Sequence, residues 1–189
     1  MNLIESIPIT SASVVVDIGA NGGQEIELFL PTNCQIHSFE PHPMFFKELD
    51  EKYGAMPNLY LNQSAAWKEE SKKTFYFKKG VSARNGGASL IKEKTNISLN
   101  LNTVVKCIDI AKYINNLNSK IDLLKIDAEG AEYEILNHLF ETSTYQKIDH
   151  IYYEDHSRKI HESKWCKLRD EVLLKYKENN IVLNNWHLT

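Results

Sequence analysis

"VVVDIGANGGQEIELFL", residues 14–30, changes character halfway along. Three consecutive valines and Ile18 bracket Asp17 in a short β-branched run, the composition of a buried strand. Gly19-Ala20-Asn21-Gly22-Gly23 breaks that pattern, and Ile26, Leu28, Phe29 and Leu30 then form an apolar run of helical type. Strand, glycine-rich turn and helix in this order open an α/β fold. Glycine at position 19 permits a tight turn with backbone close to a ligand, and Asn21 tolerates the left-handed conformation. Gly23 is expected to let the helix pack closely on the sheet.

Working outward, the same alternation fills the chain. Strand-like runs at 34–40, 58–67, 72–79, 103–108, 120–127, 147–155 and 180–188 are interleaved with helix-like runs at 43–54, 109–117, 128–140 and 162–178. Pro43 stands at a first helical position with Gly54 just past the end, and Asp109 is the expected N-cap of the third helix. Residues 80–102 are rich in Gly, Ser and Asn and read as a long irregular loop, a feature usually tied to function. The expectation is one α/β domain over residues 1–189: a Rossmann-like, doubly wound, mostly parallel sheet of about six or seven strands. Its binding core spans about 13–156, with a variable loop at about 80–102. Ligands of such sheets bind at the carboxyl ends of strands, where the strand order switches. That rule singles out residues 17–23, 40–43, 62–67, 127–132 and 154–156.

Composition narrows the classes. A formal net charge of −3 argues against general nucleic-acid binding. Between Lys68 and Lys94 there are eight basic residues against three acidic, read as a solvated basic face. Cys34, Cys107 and Cys166 form no C-x-x-C pair, so neither a disulfide framework nor a zinc site is indicated, and a reducing cytoplasm is expected. The opening "MNLIESIPIT" lacks the basic and apolar regions of a signal peptide. No run approaches the ~18 apolar residues of a membrane span.

Glu40 ends the second strand, 21 residues after Gly19, where an acid accepts hydrogen bonds from both ribose hydroxyls of an adenosine. A dinucleotide fingerprint fails at Asn21 and Gln24, and neither a Gly-Lys-Ser/Thr P-loop nor a Tyr-x-x-x-Lys pair occurs. Asp17 would repel a pyrophosphate but accepts hydrogen bonds from an ammonium group. S-adenosylmethionine carries an ammonium, a ribose and a sulfonium without phosphate, and suits these residues better than NAD.

"VVVDIGANGGQEIELFL", "IHSFEPHP" and "IDLLKIDAEGAEYEIL", in this order and spacing, resemble the signature segments of the FkbM-type S-adenosylmethionine-dependent methyltransferases, from about Val14 to His156. The resemblance implies a class I methyltransferase fold and methylation of hydroxyl oxygens on sugars, glycans or natural products. By matching position, it implies that Asp17, Gly19, Ala20 and Asn21 hold the methionine end of the cofactor. Glu40 would hold the ribose and Pro41 shape the adenine side. Asn62 to Ala66, with Ser64 and Ala65 at their centre, would line the adenine slot. Gly22 departs from the branched apolar residue usual there, and Trp67 from a smaller one.

Transfer to a hydroxyl needs a base within hydrogen-bond reach. Asp127, at a strand end, is the first candidate, as base or as holder of the cofactor's amine. Glu129 and Glu132 follow it; acids there also complement the helix dipole. His156, in "YYEDHS", has an ordinary pKa of ~6.5 and is expected to accept a proton at neutral pH. The catalytic set is therefore Asp127, Glu129 and His156. Asp127, Glu129, Glu154 and His156 also match an oxygen-rich Mg²⁺ site, a generic signal, and no metal is assigned. The Asn/Asp-Pro-Pro-Tyr/Phe segment of base-methylating enzymes is replaced by "DAEG", so no nucleic-acid partner is expected. Little sequence precedes the first strand, so the loop 80–102, a partner domain or a second copy is expected to cover the site. The leading reading is O-methylation of a sugar or glycan hydroxyl; the alternatives are a small natural product or lipid as acceptor, or a non-catalytic S-adenosylmethionine-binding module.

Overall fold

Every residue of the first strand, β1 (Val14–Ile18), is buried, as befits a strand covered on both faces. The computed structural model describes residues 7–80 and 86–185. Around β1 lie β2 (Gln35–Phe39), β3 (Leu59–Asn62), β7 (Ile121–Ile126), β8 (Ile148–Tyr153) and β9 (Leu183–Asn185), in the order β3-β2-β1-β7-β8-β9. All five neighbouring pairs are parallel. The order reverses at β1, so the switch point lies between β1 and β7.

Alternating side chains feed two cores. On one face Val15, Ile36, Leu59 and Leu123 cluster with α1 (Gln24–Phe29) and α2 (Pro43–Tyr53) through Ile26, Phe29, Leu49 and Tyr53. On the other, Val14, Val16, Ile18 and Ile126 cluster with α3 (Ile110–Asn116), α4 (Glu132–Glu141) and α5 (Ser163–Glu178). Helices on both faces make the expected doubly wound, Rossmann-like fold. A second sheet of β4 (Ala65–Trp67), β6 (Ile97–Asp109) and β5 (Ser71–Lys78) packs into that second core through Phe75, Val105 and Cys107.

Some punctuation acts as expected. Pro43 opens α2, and the His42 side chain caps it by accepting from the Met44 N–H. The Asp109 carboxylate caps α3 through the Lys112 N–H at 3.0 Å. Elsewhere the fold differs from the sequence reading. The run 58–67 is two strands in different sheets, because the Ser64 N–H turns back onto the Asn62 carbonyl at 2.9 Å. The irregular loop is shorter than expected, since β6 already begins at Ile97 and pairs antiparallel with β5. The fourth helix starts at Glu132 rather than 128, because Glu129 (φ 50) and Gly130 (φ 113) lie in the left-handed region. The last strand is described over Leu183–Asn185; residues 186–189, 1–6 and 81–85 lie outside the described residues. Cys34, Cys107 and Cys166 are all free. Among the described residues no helix is long and apolar enough to cross a membrane.

Candidate active site

The carboxyl ends of β1, β2 and β7 meet in a cleft, at the place where doubly wound sheets bind their ligands. Its first wall is the turn after β1. Gly19 has φ 83 and its N–H donates to the Phe39 carbonyl at 2.9 Å. A Cβ there would lie 1.9 Å from the Asp127 carbonyl oxygen, so only glycine lets the β1 and β7 turns touch. Gly23 serves a different contact from the one expected: a Cβ would meet Leu49 of α2 at 2.8 Å, so it admits a neighbouring helix rather than the sheet.

Beneath the turn lies a buried lysine. Strand register places Asp17 beside Ser38 on one side and Lys125 on the other. The Lys125 ammonium lies 3.1 Å from Asp17 Oδ1 and donates to the Gly19 carbonyl at 2.8 Å, while Asp17 Oδ2 accepts from the Ser38 hydroxyl at 3.3 Å. Asp127 Oδ2 lies 3.9 Å from the same ammonium and Glu25 Oε2 3.7 Å. Burial disfavours the charge on Lys125, yet Asp17, Asp127 and Glu25 outweigh it and hold the ammonium protonated. Asp17 therefore braces the turn from below. It has no exposed surface and does not line the cleft.

The second wall is Glu40. Its Oε2 accepts from the Asn21 N–H and its Oε1 from the His42 N–H, both at 2.7 Å. The carboxylate thus ties the β1 turn to the start of α2. Burial pushes it up to about 7 against these two donors. Pro41, Phe45, Phe75, Ala65 and Ala66 complete an apolar slot beside it.

The third wall is acidic. Asp127 lines the cleft, its Oδ1 buried and without a hydrogen-bond partner among the described residues. Burial raises its pKa to about 7, with Lys125 working against the rise. Glu129 follows, and then Glu132, which accepts from the Ala128 and Gly130 N–H groups at 3.1 Å and shapes the turn. His156 lies among three carboxylates: Nδ1 is 2.9 Å from Glu132, and Nε2 is 3.0 Å from Glu154 and 3.2 Å from Glu129. Burial opposes the imidazolium, but the bonds to Glu132 and Glu154 overcome it and raise the pKa to about 10. This direction favours the imidazolium at neutral pH and weighs against the expected role of His156 as base. Asp127, Glu129 and His156 bring potential ligand atoms within 4.8 Å of one another, and the Lys94 ammonium also pairs with Glu129.

Of the residues singled out from the sequence, Gly19, Asn21, Glu40, Pro41, Ala65, Asp127 and Glu129 line one cleft. Ala20 packs in the α1–α2 core, Ser64 borders a neighbouring polar groove, and His156 sits behind Glu129. The loop contributes a roof, Gly86, Gly87, Ala88 and Leu90. Ser89 within it exchanges backbone hydrogen bonds with Tyr76 of β5 at 2.8 and 2.9 Å. Sequence reasoning missed Phe45, Phe75 and Lys125. The signal for the last was a lysine inside the otherwise apolar "LLKI", which is fully covered.

An acid-lined cleft at the switch point of an open parallel sheet is the architecture of the Rossmann-like methyltransferases. The family model of the methyltransferase FkbM domain matches residues 17–179, and the chain belongs to that family. No curated protein and no solved structure gives a significant match.

Proposed function

We propose that the protein is an S-adenosylmethionine-dependent O-methyltransferase acting on a sugar or glycan hydroxyl. The observation that carries this reading is the charge of the cleft. Its described lining holds Glu40, Asp127 and Glu129 but no lysine or arginine, which suits a ligand bearing ammonium and sulfonium groups and opposes a pyrophosphate. In this reading Glu40 receives the ribose hydroxyls, the apolar slot of Pro41, Phe45, Phe75, Ala65 and Ala66 takes the purine, and the Gly19–Asn21 turn abuts the methionine end. The cofactor supplies a methyl group already activated on sulfur.

What remains for the chain is to orient the acceptor and remove its proton. Asp127 suits the role of base because it lines the cleft, Oδ1 has no hydrogen-bond partner among the described residues, and a pKa near 7 balances ionised fraction against proton affinity at neutral pH. His156 keeps its proton and holds Glu129 and Glu154 in place. The choice of a sugar or glycan as acceptor rests on the family resemblance, and free cysteines support a reducing compartment such as the cytoplasm.

The test is a calorimetric titration of S-adenosylmethionine into wild type and Glu40→Ala. Micromolar binding by wild type, weakened by ~1 kcal/mol or more in the variant, is the expected result. Wild type without binding would refute the cofactor. Labelled methyl transfer to free sugars, oligosaccharides, lipid-linked sugars and small hydroxylated compounds then tests the acceptor, and transfer confined to a non-sugar hydroxyl would overturn that part.

A further inference from the structure

Lys94 comes from the irregular segment, far from any motif, yet its side chain has no exposed surface. Its ammonium pairs with Glu129 Oε2 and donates to the Gly87 carbonyl at 3.0 Å. One group therefore bridges the roof of the cleft and its acidic wall. A second tie runs parallel: the Ser89 hydroxyl donates to the Glu129 carbonyl at 2.7 Å and accepts from the Ile91 N–H at 2.9 Å. The far end of the segment is anchored by a Lys94–Ile160 bridge and by the Thr95 N–H on the Lys159 carbonyl at 2.8 Å. Glu129 holds a left-handed backbone, φ 50, which a residue with a side chain adopts at some expense and keeps only where its surroundings fix it.

We infer that Lys94 is a positioning residue that fastens the roof segment Gly86–Leu90 to Glu129, so that the cofactor's cover and the acceptor-side carboxylate are set as one unit. Burial makes the link strong in both directions. An ammonium with no access to water needs its carboxylate, and a roof carbonyl beside it gains a charge-assisted bond. Without Lys94, Glu129 still faces His156 and Lys159, at 3.2 and 3.9 Å, but no charged group among the described residues then joins it to Gly87. The roof would be left on Ser89 and its neutral bonds.

Lys94 takes this role within the cofactor reading above, but the first test needs no cofactor. The amides of Ser89 and Ile91 are both hydrogen-bonded, and their hydrogen exchange reports opening of the roof. Lys94→Met cuts the tie from one side and Glu129→Gln from the other. In each, exchange at Ser89 and Ile91 is expected to quicken about tenfold or more, the factor of one charge-assisted hydrogen bond, while amides of β1 and β7 stay as in wild type. Titrated with S-adenosylmethionine, Lys94→Met should bind about tenfold more weakly. The double variant should bind no worse than the weaker single one, because both act on one link. Unchanged exchange at Ser89 and Ile91 in either folded variant overturns the inference, and so do losses that multiply in the double variant. If Lys94→Met does not fold, Glu129→Gln decides by exchange alone. A wild type that fails to bind S-adenosylmethionine sinks the proposed function and leaves the exchange result to judge Lys94 by itself.

Discussion

Replacing His156 by glutamine tests which group takes the acceptor's proton. The ring is 2 % exposed and lies within 3.2 Å of three carboxylates. Its pKa rises from 6.5 to about 10, and at ~1.36 kcal/mol per pH unit this favours the folded protein by about 5 kcal/mol. The sign follows from the direction. A folded pKa above the unfolded one means that the stabilisation is complete below pH ~6.5 and drains away as pH climbs to about 10. Urea unfolding of wild type and His156→Gln from pH 6 to pH 10 measures it, since titrations common to both proteins cancel in the difference. The stability gap should be widest near pH 6 and shrink by ~1.4 kcal/mol per pH unit above pH ~7. Proton-coupled ¹⁵N spectra should show both ring nitrogens protonated at pH 7.5. A gap that stays level across this range, or a neutral ring at pH 7.5, would refute the reasoning and return His156 to candidacy as the base.

Asp127 should govern the pH dependence of methyl transfer. With its pKa raised to about 7, kcat/KM should climb tenfold per pH unit below that point and level above it. Asp127→Asn should abolish transfer, and a variant that keeps the wild-type rate and profile would exclude Asp127 as base. Lys125→Met should destabilise the protein by ~3–5 kcal/mol, because it leaves Asp17 a buried, uncompensated charge. Adding Asp17→Asn should recover much of that loss in chemical denaturation, and no recovery would show that the pair is not coupled.

Local chemistry makes the framework legible in the sequence. Valines 14–16, Pro43 and Asp109 each act within a few residues of themselves, so strand, helix start and cap could be read from order alone. The spacing of Glu40 from Gly19 likewise followed from two strands lying side by side, and Glu40 does line the cleft with Gly19 and Asn21. The alternation in "ISLNLN" was present too, but the glycines and asparagines around it hid the start of β6. Charge states were a different matter. Asp17 was read as a ligand group, and register sets Lys125, 108 positions away in the chain, against it. His156 was expected as a neutral base, and folding closes Glu129, Glu132 and Glu154 around it, which favours its charged form. Lys94, the end of the run read as a solvated basic face, is instead buried and pairs with Glu129. The sequence by itself determined the α/β order, the glycine turn and the acids at the strand ends, since these are properties of neighbours along the chain. Only the tertiary structure decided which acids face the cleft and which are braced by buried cations, because burial and opposite charge act through space.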